Sequence, residues 1–170
     1  MQSVDLGLLI LRLVVGLTFA AHGAQKAFGW WNGPGLTGWR GAVTHMGFHP
    51  VELFVALSIG AELVGGSLLA LGLFTPLAAM MLVAQTGVII TKAHLAKGFW
   101  NMNGGFEYPL VLGAGVIAIT FIGTGSIALD SALGLSFSDS LRAGLLLIGL
   151  LGGLLAIAAS RVTEAQTARA

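Results

Sequence analysis

Five apolar runs dominate this chain: residues 4–22 (with an extension to 28), 51–73, 77–91, 108–122 and 141–159. A helix needs about 20 mostly apolar residues to cross a bilayer, within a range of roughly 17–25. The third and fourth runs are short by that count, so flanking polar residues must carry those helices into the interface. In hydrocarbon a spanning segment has to satisfy its own backbone polar groups, which leaves helices for runs of this length. Only 9% of the 170 residues are charged, and the mean hydropathy is +0.91. A soluble domain carries about 25% charged residues. The predicted fold class is therefore all-α: an integral membrane helical bundle, with the first four runs within residues 4–130 and the fifth within 141–160. Residues 131–140 read as a linker, and 161–170 as a flexible polar tail expected to fray.

Composition also removes function classes. A net charge of +1 makes no electrostatic case for nucleic acid. The absence of cysteine removes thiol–disulfide chemistry, thiolate metal sites and a cysteine nucleophile. The opening Met-Gln-Ser-Val-Asp lacks the basic residues of a signal peptide, so the first run reads as a retained helix.

Local signals order the chain further. His49-Pro50 opens the second run, with Glu52 in its first turn. Thr75-Pro76 opens the third, with Thr75 as expected N-cap and Pro76 at the first helical position. So short a connection between these runs predicts a tight antiparallel hairpin. Ser138 or Asp139 is placed to cap the fifth helix. The connection 29–49 holds Trp30, Trp31 and Trp39, which favour the membrane interface and predict a surface-lying loop. Gly149 and Gly153 in the fifth run have the small-xxx-small spacing that permits close helix approach. With five spans, Lys26, Arg40, Lys92, Lys97, Arg161 and Arg169 fall on one side and Arg142 on the other. The positive-inside rule then expects the N-terminus outside and the C-terminus in the cytoplasm.

Charges inside the apolar runs are the candidate functional residues. A central Arg costs at least ~2.5–3.5 kcal/mol and survives by facing a partner or a polar cavity. Aligning the midpoints of the first two runs places Arg12 and Glu62 at nearly equal depth, which predicts a buried ion pair. Such a pair either fixes helix register or lines a proton or ligand route. His22 and Lys26 share a helical face with Arg12. The ends of the third and fourth runs add His94 and Glu107, so Lys26–Glu107 is a second expected pair, with Gln85 about two turns deeper. A metal site from His22, His94 and Glu107 is chemically conceivable, but no tight ligand spacing supports it, and none is assigned. Lys92 and Lys97 at helix ends read first as snorkelling residues.

The strings Leu11-Arg-Leu-Val-Val-Gly16, His22-Gly23, Lys26, Gly60-Ala-Glu62-Leu-Val-Gly-Gly66, Leu71-Gly-Leu-Phe-Thr-Pro76, His94-Leu-Ala-Lys-Gly-Phe99, Asn103-Gly-Gly-Phe-Glu107-Tyr-Pro109, Gly123-Thr-Gly-Ser126 and Asp130 carry a resemblance. In this order and spacing, the chain resembles the DoxX family of small bacterial membrane proteins. The resemblance implies a four-helix transmembrane core, to which residues 141–159 are an addition, in a bacterial cytoplasmic membrane. It is similar to the membrane subunit of a thiosulfate:quinone oxidoreductase, which implies a quinone as the candidate cofactor and a redox protein as partner, besides the lipid bilayer and a homo-oligomer. In that reading His22, Lys26 and Gln85 would donate hydrogen bonds to a quinone carbonyl or relay a proton. The chain has no redox-centre motif of its own, so whether it is an enzyme stays open. A carrier for a small hydrophobic or anionic ligand, with Arg12, His22 and Lys26 as an anion site, and a purely structural subunit are the alternative readings.

Overall fold

A computed structural model describes residues 3–167, with side chains to 161. Seven helices follow one another among the described residues: α1 (Ser3–Phe28), α2 (Gly35–His45), α3 (Val51–Leu71), α4 (Thr75–Lys97), α5 (Glu107–Ile122), the short α6 (Leu129–Ala132) and α7 (Asp139–Thr167). α1, α3, α4 and the Asp139–Arg161 part of α7 are long and apolar enough to cross a membrane. α5, with 16 residues, is shorter. Ile10, Val14 and Leu17 of α1 and Leu154 and Leu155 of α7 are exposed on the outside of the bundle. An apolar outer surface of this extent calls for lipid. The protein is an all-α membrane bundle.

The centre is apolar: Val15 and Phe19 of α1 meet Leu69 of α3, Leu82 of α4, Leu112 and Val116 of α5 and Leu146 of α7. Two seams of small residues set how the helices meet. Along the first, Gly16 faces Ala70, Ala20 faces Gly66 and Gly23 faces Leu63, one continuous antiparallel register of α1 on α3. A Cβ added at Gly16 would lie 2.6 Å from the Gly66 carbonyl oxygen, and one at Gly23 would lie 2.8 Å from Leu63 Cα. Backbones this close tolerate only glycine. Along the second seam α7 lies against α4. A Cβ at Gly149 would come within 3.1 Å of Met80 Cα, and one at Gly153 within 2.8 Å of the Ala84 carbonyl oxygen. The spacing of Gly149 and Gly153 thus serves the close approach expected of it.

The α1–α3 register overturns the expected Arg12–Glu62 pair. Continued along both helices, it places Arg12 beside the turn after α3 and Glu62 beside Ala24. The two charges end up separated by roughly 18 Å of helix axis at about 1.5 Å per residue. Midpoint alignment failed because close glycine contacts, not equal centring, decide how far one helix slides along the other.

Arg12 is fully buried, and its guanidinium serves the chain ends around that turn. Nη1 donates to the Ala70 carbonyl at 3.4 Å, and Nη2 donates to the Ile127 carbonyl. The first satisfies a carbonyl left open at the C-terminus of α3. Gly72 turns the chain with φ 64°, and a Cβ there would collide with the Arg12 guanidinium. Asp130 caps the next helix from a distance. Its carboxylate accepts Phe74 N–H at 2.7 Å, Thr75 N–H at 3.1 Å and the Thr75 hydroxyl at 2.8 Å. Thr75 is therefore the first residue of α4 rather than its cap, and Asp130 supplies the negative charge that a helix N-terminus favours.

Two further expectations change, for the connection 29–49 and for the tail. The connection 29–49 contains α2, whose Val43 is buried against Phe48 and Val55. The stretch after α5 is docked through Asp130 and through Ser126 N–H, which donates to Asp5 at 2.8 Å. α7 continues to Thr167 through most of the polar tail, while residues 168–170, including Arg169, lie outside the described ones. Ser138 does take up a capping role, accepting Leu141 N–H at 3.3 Å.

Candidate functional site

Glu62 sits in the middle of α3 within a π-helical turn, Ala61–Gly65. Such widened turns are rare and frequently mark functional positions. Its side chain is 1% exposed. A buried carboxylate is costly unless paired and hydrogen-bonded, and two residues provide this. Lys26, in the last turn of α1, donates to Oε1 as a buried ion pair. Gln85 of α4 donates its Nε2 to the same Oε1 at 3.1 Å. Oε2 has no hydrogen-bond partner among the described residues.

The cluster continues into α2. Trp39 lays its ring 4.1 Å from Lys26 Nζ, a cation–π contact, and its indole Nε1–H donates to Ser58 Oγ at 2.7 Å. Ser58 in turn donates to the Val55 carbonyl at 3.1 Å. The α2 helix that carries Trp39 is tied to the start of α3 by an exposed pair, with Arg40 Nε and Nη2 donating to the two Glu52 oxygens at 2.6 and 3.0 Å. Those hydrogen bonds raise the Arg40 pKa above its ordinary value. In solvent such a pair adds little to stability.

Against this cluster lies a cavity of about 360 Å³. It is walled by α2, α3, α4 and α7 and lined almost wholly by apolar side chains. Among the described residues its polar side chains are Trp39, Ser58 and Gln85, and none that lines it is charged. Gln85 and Trp39 thus belong to both the cavity wall and the Lys26–Glu62 cluster. α7 contributes Ile148 and four small residues, of which Gly152 faces open space. The volume falls in the range of small-molecule sites, about 300–1,000 Å³.

The other candidate residues are separate from this arrangement. Lys26 pairs with Glu62 and not with Glu107, whose Oε2 accepts Asn101 N–H at 3.0 Å instead. Helix α1 sets that outcome: it carries Lys26 to the level of Glu62, where a buried carboxylate needs a cation. His22 contacts Tyr108, Nε2 to hydroxyl at 3.5 Å. His94 donates its Nδ1–H to the Gly104 carbonyl at 2.6 Å. Among the described residues, no three His, Asp or Glu side chains gather as a metal site would require. Of the expected donors to a quinone carbonyl, Lys26 and Gln85 both give hydrogen bonds to Glu62, and Gln85 also lines the cavity. Sequence reasoning missed Trp39 and Ser58, because the only available signal was an interfacial tryptophan in a glycine-rich connection.

Comparisons with known proteins align with this geometry. The DoxX family model matches residues 7–95, a span that carries Arg12, Lys26, Glu62 and Gln85 and ends before α5 and α7. A Bacillus subtilis (strain 168) protein named "Putative oxidoreductase CatD" is 32% identical over 131 residues, covering 76% of this chain and 88% of that one. A Mycobacterium tuberculosis (strain ATCC 25618 / H37Rv) protein, "Uncharacterized membrane protein Rv3486", is 31% identical over 133 residues, covering 72% and 78% respectively. No solved structure matches the chain. With more than half of its length matched by the family model and a relative of comparable length above 30% identity, the chain belongs to the DoxX family.

Proposed function

We propose that this DoxX-family membrane protein binds a quinone-class molecule, with a flat polar head and an apolar body, and serves as an accessory subunit of a membrane redox system. The observation that carries the reading is the apolar cavity whose few polar side chains, through Gln85 and Trp39, join the buried Lys26–Glu62 pair. The apolar walls suit a hydrophobic body, and the polar end orients a head group. Lys26 and Glu62 form the proton-holding pair behind it. Electrons reach or leave the ligand through a redox partner protein. The printed name of the Bacillus subtilis relative, an oxidoreductase, supports the redox assignment. The protein lies in a bacterial cytoplasmic membrane with its N-terminus outside.

The hydrophobic-carrier reading shares this cavity and differs only in lacking a redox partner. An anion site is not supported, because Arg12 is committed to carbonyls at the α3–α4 turn and, among the described residues, no charged side chain lines the cavity. Native mass spectrometry of the gently solubilised protein tests the proposal. Retained quinone or hydroquinone supports it, and another lipid-like occupant favours the carrier. A Gly152→Leu variant is the control, since Gly152 lines the cavity and a Cβ there has no neighbour within 4 Å. A wild-type protein that retains nothing, or a variant that retains as much quinone as wild type, would remove the basis for the cavity as the site.

A further inference from the structure

We infer that the cavity selects a ligand whose head carries a hydroxyl, a phenol or hydroquinone, over the corresponding carbonyl or ether. The inference rests on the cavity being the ligand site and follows from which hydrogen bonds its polar wall has already spent. Trp39 has one donor, given to Ser58. Ser58 has one donor, given to the Val55 carbonyl, and one of its two lone pairs accepts from Trp39. Gln85 gives one N–H to Glu62. What remains is the Gln85 amide oxygen, its second N–H and one lone pair of Ser58, two acceptor positions against one donor.

The amide orientation behind this count has a physical cause. Turning the Gln85 side chain over would press its carbonyl oxygen against the buried Glu62 carboxylate, two acceptors with no proton between them. Keeping the NH₂ on Glu62 leaves the amide oxygen without a donor from any described residue. Gln85 is 8% exposed, and a ligand that fills the cavity shuts this remainder off from water. A hydroxyl satisfies this set because it donates to the amide oxygen and accepts from the remaining N–H. A carbonyl or an ether only accepts, and once seated it leaves the amide oxygen with neither water nor a donor. On this account the hydroquinone form is the form held, and the quinone form is the one released.

The test uses two probes with nearly the same apolar body, para-hexylphenol and its methyl ether para-hexylanisole, offered to the full chain in lipid nanodiscs. Retention is read by native mass spectrometry and normalised to protein-free nanodiscs. The phenol is expected to bind at least about tenfold more tightly, the factor that one unsatisfied buried polar group implies. A Gln85→Met variant, which keeps Lys26 on Glu62, should bring the two probes within about threefold. Equal or tighter binding of the ether by wild type would overturn the hydroxyl selection while leaving the cavity as a binding site. A Gln85→Met variant that keeps the full preference would overturn it too. If neither probe binds saturably, the cavity reading falls and takes the selection with it. The wild-type comparison involves no substitution, so it stands whether or not the variant folds.

Discussion

Lys26, Glu62 and Arg12 are three charges with almost no exposure, and their surroundings separate their roles. Removing one member of a buried pair strands the other, at a cost of about 3–5 kcal/mol. Lys26→Met is therefore expected to lower stability by that order, and Lys26→Met with Glu62→Gln to recover most of the loss. Arg12→Leu should combine with Glu62→Gln additively, within about 0.5 kcal/mol, because the two share no partner. Unfolding of the three single and two double variants in detergent, followed by circular dichroism, provides the cycles, and strong Arg12–Glu62 coupling would contradict the geometry. The sequence made these residues conspicuous, since a charge inside an apolar run is rare enough to notice. Which charge met which was not legible from depth alone. The signal that carries it is Gly16-xxx-Ala20 facing Gly66-xxx-Ala70, two small-residue pairs that fix the sliding position of α1 on α3.

Between elements, capping and close packing are done by residues distant in sequence. Asp130 caps α4 across an interval that no local pattern could bridge, so Thr75-Pro76 announced the helix start but not the group that satisfies it. Asp130→Ala is expected to cost about 1–2 kcal/mol, the upper part of the range for a lost N-cap, measurable as a lowered thermal midpoint in detergent. Thr75→Val should cost less, as the two backbone N–H bonds to Asp130 remain. The α4–α7 seam gives a second contrast. Gly149→Leu places a side chain against the Met80 backbone and should unseat α7, exposing it to limited proteolysis, whereas Gly152→Leu meets open space and should leave the helix seated. The five apolar runs and the hairpin between α3 and α4 could be read from hydrophobic length and punctuation. α2 could not, because Gly35, Gly38 and Gly41 argue against a helix on propensity and only packing of Trp39 and Val43 holds it.

At the scale of the whole molecule, α7 turns an addition to the family pattern into a wall of the cavity, so the site depends on a helix that lies beyond the matched span. The same topology fixes which loops share a membrane face. α2 and the α4–α5 connection lie at one end of the bundle, with Lys26, Arg40, Lys92 and Lys97. The α3–α4 turn and the residues before α7 lie at the other, with Arg142. Under the positive-inside rule the charge imbalance predicts that the first face is the cytoplasmic one. Because the chain contains no cysteine, single substitutions report this without background. Met102, 98% exposed in the α4–α5 connection, and Ser136, exposed before α7, are the informative positions. In intact cells a membrane-impermeant maleimide should label Ser136→Cys, and Met102→Cys should be labelled only after the membrane is opened. The reverse pattern would invert the molecule and put the end bearing α2 and Trp39 on the outer face. Labelling of both positions in intact cells would mean that the few charges carrying the asymmetry do not hold one orientation.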